Sequence, residues 1–92
     1  MANHKSAIKR AKQSEARRLR NRTRKTRMKN AVKGVLEAIS SDSQDDVMDR
    51  LKEAIGVIDK TASHGVIHSN TASRRISRLT LRVNAFLAAK SA

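Results

Sequence analysis

The stretch from Lys5 to Lys33 sets the limits on what this chain can become. It holds 13 of the 21 lysines and arginines, a single acid (Glu15), and neither proline nor glycine. Its large apolar residues before Met28 are only Ile8 and Leu19. A segment with so little apolar surface has nothing to bury and cannot build a core of its own. Ala, Lys and Arg favour a helix, but like charges three and four positions apart push it open. The segment therefore calls for a polyanion around it, and the functional question is which one.

The rest of the 92 residues amounts to one small domain at most. Net charge is +13 and it is segregated: residues 1–34 carry +12, residues 42–59 carry −4, and residues 60–92 carry six basic residues and no acid. Two basic blocks flank one acidic block, so two surfaces aim at anions and one at water. Phe86 is the only aromatic residue. Binders of single strands stack bases on several aromatic platforms, and so do sheet-based RNA modules; this chain is equipped to grip phosphate and shape instead. With zero cysteines there is no disulfide framework and no thiol chemistry. No eighteen-residue apolar run is present to span a membrane, and the N-terminal lysines are not followed by the apolar stretch of a secretory signal.

The absence of proline, the abundance of helix formers and the lack of apolar alternation predict an all-α protein. A first helix is expected from about Ser6 to Ile39. Met28, Val32, Val35, Leu36 and Ile39 fall within an arc of about 100°, while Ile8 and Leu19 lie on the far side of the wheel and do not extend it. The front half should thus project beyond the packed part. Its charges, on Arg17, Arg18, Arg20, Arg22, Arg24, Lys25, Arg27 and Lys29, point in nearly every direction, as suits a helix surrounded by phosphates. A helix lying on a membrane would concentrate them on one side.

Ser41 with Gln44, or Ser43 with Asp46, offers a capping box for a second helix ending near Ala62. Asp42, Asp45 and Asp46 complement its dipole, and Val47, Leu51, Ala54, Ile55, Ile58 and Ala62 form its stripe. Asn70 is the expected N-cap of a third helix. That helix buries Ala72, Ile76, Leu79, Val83, Phe86 and Leu87, and sets Arg74, Arg75, Arg78 and Arg82 on a separate arc as a second phosphate-binding strip. Three stripes with short links make a three-helix bundle with a long, basic N-terminal helix projecting from it. We read residues 1–92 as a single helical domain, with 1–33 the basic arm and 34–92 the bundle. Its core, roughly sixteen side chains, is small enough to be only marginally stable alone.

Catalysis and metal binding find little support. Asp42, Asp45, Asp46 and Asp49 sit at a helix start with no apolar pocket to raise a pKa, and capping explains them. His64 and His68 are four apart, a spacing seen in zinc sites, but no cysteine joins them and no acid follows. His68 fits better as a loop donor to phosphate or a neutral residue at the core edge, and His4 near the N-terminus as a donor to phosphate. An enzyme, a metal site and a cofactor are not expected.

Two stretches resemble a known family. Ala2-Asn3-His4-Lys5-Ser6-Ala7-Ile8-Lys9-Arg10 and Gly65-Val66-Ile67-His68-Ser69-Asn70-Thr71-Ala72-Ser73-Arg74-Arg75-Ile76-Ser77-Arg78-Leu79 are similar to the paired signatures of the S-twenty family of bacterial small-subunit ribosomal proteins. The likeness extends along the whole chain in length and charge layout. It implies a three-helix bundle with a long first helix, in a structural protein of the cytoplasmic ribosome that binds 16S ribosomal RNA as a primary binder and helps assemble the 30S subunit. It implies RNA contacts through Asn3, Lys5, Lys9 and Arg10 in the first signature and through His68, Asn70, Arg74, Arg75 and Arg78 in the second; Lys12 is a further candidate as a basic residue of the arm. Ser69 and Ile76 depart from the family, which often carries basic residues there, and contribute less charge. The implied partners are the small-subunit RNA and neighbouring ribosomal proteins, with no membrane, small-molecule substrate or cofactor.

Three competing readings remain on sequence grounds. A nucleoid DNA-binding protein would place its charge along a groove-facing surface. A membrane-active peptide would need more apolar residues than Ile8 and Leu19 in the basic segment. An inhibitor of an acidic enzyme has only the net charge in its favour.

Overall fold

In the computed structural model, three helices follow one another: α1 (Ala2–Ser40), α2 (Gln44–Ser63) and α3 (Ser69–Ser91). The backbone is described for residues 2–91 and the side chains for residues 4–91. No strand occurs among the described residues. The expected all-α bundle with a long first helix is what forms.

α1 begins four residues earlier than the Ser6 start expected from sequence. Nothing between Ala2 and Ser6 breaks a helix, and the first N–H groups of an exposed helix are satisfied by water without a capping side chain. At 1.5 Å per residue its 39 residues run about 58 Å. That length makes the molecule a rod of 72 × 23 × 14 Å. The Cα radius of gyration is 18.4 Å, against about 12 Å for a compact domain of this size.

The apolar arcs explain the packing. Val35, Ala38, Val47, Leu51, Ala54, Leu79 and Val83 form one buried cluster, with Leu36, Ile39, Ile55, Phe86 and Leu87 against it. Met28, Ile58 and Ala72 form a second cluster at the end where the arm leaves, covered by Val32, Val57, Ala62, Ile67 and Ile76. Every side chain assigned to a stripe from sequence is in one of the two clusters. Ala31, Ala38, Val57 and Ile67 join them as well. α2 packs against both other helices, which meet each other far less.

Thr61 is the one buried polar residue among those described. Its hydroxyl donates to the Val57 carbonyl at 2.7 Å, so burying it leaves no unmet donor. Arg50 ties α2 to α1 by donating from Nη1 to the Gly34 carbonyl at 3.1 Å.

The helix ends differ from the sequence expectation in three places. Ser43 is the N-cap of α2 but makes no side-chain cap bond. Its hydroxyl lies 3.1 Å from that of Ser41, so neither proposed capping box forms. The cause is the preceding turn: Asp42 takes φ 62°, Ser43 N–H donates to Ala38 O and Asp42 N–H to Ile39 O. This is a Schellman closure of α1 with an aspartate in the left-handed position. α2 ends in the same way, one residue past Ala62: Gly65 has φ 75°, Gly65 N–H donates to Ala62 O and Val66 N–H to Thr61 O. Finally, α3 is capped by His68 and not by Asn70. The His68 carbonyl accepts from Ala72 N–H, and its Nδ1 accepts from Asn70 N–H at 3.0 Å. His68 holds the cap position itself, and its ring nitrogen accepts from the N–H two residues on, as a Ser or Asn oxygen does at an ordinary N-cap.

Candidate nucleic-acid interface

The arm owes its exposure to its wheel. Every residue from His4 to Arg20 is exposed, with Ile8 44% and Leu19 65% accessible; both sit on the side away from the stripe. Burial begins with Met28, which is 2% accessible. The exposed run from His4 to Arg20, about 26 Å of helix, therefore stands clear of the bundle.

Among the described residues the ion pairs are Arg50 with Asp46, and Lys90 with Asp42. Among the described residues no lysine or arginine of the arm has a carboxylate partner. Lys5, Lys9, Arg10, Lys12, Arg17, Arg18, Arg20, Arg22, Lys25, Arg27 and Lys29 are exposed, and Arg24 is half-buried at the root. The side chain of Asn3 lies outside the described residues. The arm's threonines are occupied locally, Thr23 donating to Leu19 O and Thr26 to Arg22 O, each at 3.0 Å. Back-bonding of this kind satisfies the hydroxyls without help from the fold.

The arginine strip of α3 borders a groove against α1. Arg74, Arg75, Arg78 and Arg82 line it together with Thr71, and Val32, Leu36 and Leu79 supply apolar wall; its volume is about 400 Å³. No acid lines this groove. The part played by Val32 and Leu36 was not visible in the sequence, where both read simply as core. Only packing shows that they sit at the edge of the stripe.

The fold brings some predicted residues together and holds others apart. Met28 and Ala72 share a cluster, so the root of the arm meets the first turns of α3, while Arg24 and Arg27 there face α2. His68 is exposed at the same end. It holds Asn70 N–H on Nδ1, which leaves the opposite ring nitrogen as its donor. Lys5 is far away: 23 residues of helix separate it from Met28, about 35 Å. The two signature stretches thus lie in two regions of the molecule, separated by the length of α1. His64 and His68 join no group of ligands that could hold a metal among the described residues.

Fold and surface together define a class: a small all-α protein whose bundle carries an exposed cationic helix and an arginine-lined groove. The sequence model of the family described as ribosomal protein S20 matches residues 2–84. The chain is 64% identical over 85 residues to the small ribosomal subunit protein bS20 of Syntrophobacter fumaroxidans, covering 92% of this chain and 99% of that one. It is 55% identical over 89 residues to the protein of that name from Desulfotalea psychrophila, covering 97% and 100%. The chain belongs to the ribosomal protein S20 family, whose members are structural and not enzymatic.

Proposed function

We propose that this chain is a structural constituent of the small ribosomal subunit in the cytoplasmic ribosome, binding 16S ribosomal RNA and helping the subunit assemble. The observation that carries this reading is the bare arm: seventeen consecutive exposed positions, His4 to Arg20, charged on every side and without a partner carboxylate. A single duplex touches one side of a helix. Charge on all sides is neutralised only where several RNA strands surround it, as in a folded RNA. The bundle and arm act as one domain, in which residues from Met28 onward hold the arm in direction.

The proposed contacts are Asn3, Lys5, Lys9, Arg10 and Lys12 near the tip and Arg17 to Lys29 along the shaft. His68, Asn70, Arg74, Arg75, Arg78 and Arg82 form the second region. Neutralised phosphates release counterions, which supplies affinity. Specificity comes from RNA shape matched to the 35 Å spacing. Neighbouring ribosomal proteins are partners by proximity. A nucleoid DNA-binding protein is disfavoured, since no observation here points to a smooth duplex.

The test replaces Arg17, Arg18, Arg20 and Arg22 with Gln and titrates small-subunit ribosomal RNA at several salt concentrations. The slope of log affinity against log salt should flatten by about 0.7–0.9 for each lost phosphate contact. An unchanged slope would remove the arm from the interface. Equal binding of the native protein to ribosomal RNA and to duplex DNA would overturn the ribosomal reading.

A further inference from the structure

The acidic block of the sequence assigned α2 to water, yet α2 is electrically divided. Its acids are Asp45, Asp46, Asp49, Glu53 and Asp59, and its cations Arg50, Lys52 and Lys60; the division is between faces, not along the sequence. Packing places those two lysines opposite the root of the arm. There a groove of about 350 Å³ is lined by Arg24, Arg27, Lys52, Lys60 and His64, with Glu53 as the one carboxylate. Asp59 does not line it. Among the described residues Glu53 pairs with none of these cations at 4.0 Å or less, and none of the four has any carboxylate partner. Gly56 lies in the lining, and a Cβ there would meet nothing within 4 Å, so the space is open.

We infer that this groove between α1 and α2 is a further phosphate-binding site, taking the backbone of a second RNA strand; the inference rests on the RNA-binding reading above. Four fixed cations drawn together by packing, and one unpaired acid, leave a local excess of positive charge that folding alone does not relieve. An external polyanion does relieve it, and the lysines act as point charges suited to phosphate. The placement also fits the arm. At 100° per residue, Arg24 and Arg27 lie roughly 130° round α1 from Val32 and Leu36, which edge the arginine groove. The two grooves thus flank the stripe on either side. An RNA that enters both encloses the arm where it leaves the bundle, and extends to the root the surrounding that the shaft requires.

The experiment uses the full chain and purified small-subunit ribosomal RNA. Lys52→Gln with Lys60→Gln removes two exposed cations and no core contact. A control, Ala88→Glu with Ala89→Glu, changes net charge by the same two units at the exposed far end of α3. Circular dichroism confirms that each variant keeps its helices. The groove variant should lower the salt slope by about 1.4–1.8, the value for two phosphate contacts, and the control should leave it at the native value. Glu53→Gln should tighten binding at low salt.

A native slope in the groove variant, alongside a reduced slope in the arm variant, would overturn the groove and leave the ribosomal reading standing. Equal losses in groove variant and control would mean that net charge alone is felt, which also overturns it. Failure of the native protein to prefer ribosomal RNA over duplex DNA would remove the reading itself.

Discussion

Ile58→Ala is the most informative single perturbation of the fold. Ile58 is completely buried and sits in the cluster that joins Met28 of α1 to Ala72 of α3. The substitution removes three carbons, about 2.4 kcal/mol of transfer free energy at 0.8 per methylene. The cavity left behind brings the expected cost to about 2–5 kcal/mol. The arm buries no core residue, so stability resides in the roughly 64 residues from Met28 onward, or about 3–10 kcal/mol at ordinary values per residue. The variant should therefore lose about half of its stability or more. Leu81→Ala provides the comparison. Leu81 is 66% accessible, so the same chemistry there should cost less than about 1 kcal/mol. Urea unfolding followed by circular dichroism is the suitable assay, because the chain contains neither tryptophan nor tyrosine. Sucrose can hold the weaker variant in range; sulfate would confuse stability with anion binding. Equal costs at Ile58 and Leu81, or a loss below about 1 kcal/mol at Ile58, would show that the second cluster does not hold the bundle together as described.

Other substitutions test local features. Gly56→Ala should stabilise by about 0.5–1 kcal/mol, since the site is mid-helix with ordinary backbone geometry and open space, and a lower urea midpoint would contradict that placement. Gly65→Ala should cost about 1–2 kcal/mol because an L side chain resists the left-handed turn closing α2, and a neutral result would mean that φ 75° is not required. His68→Ala should lose about 0.5–1 kcal/mol of capping, and Asn70→Ala much less; the reverse order would restore Asn70 as the cap. A peptide of residues 2–27 should gain helix when small-subunit RNA is added, because phosphates relieve its i,i+4 repulsion, and an unchanged spectrum would show that the arm needs no partner to fold.

The sequence by itself determined the elements and their roles. Periodicity is local, so the stripes from Met28 to Ile39, Val47 to Ala62 and Ala72 to Leu87 predicted which faces would be buried. The misplacement of Ile8 and Leu19 relative to the first stripe predicted that the arm would stand free. The paired signatures also pointed to the family. Tertiary structure decided what depends on residues far apart in the chain or on backbone choices between nearly equal alternatives. Asp42 entering the left-handed region displaced both capping boxes, and a histidine replaced Asn70 as the cap. Val32 and Leu36 became the wall of an arginine groove only because α3 lies beside them. Lys52 counted as part of the acidic block and Lys60 as part of the basic block after it until the α1–α2 packing set both across from Arg24 and Arg27. Charge summed along a chain is blind to that, because electrostatic neighbours are chosen by the fold and not by the order of residues.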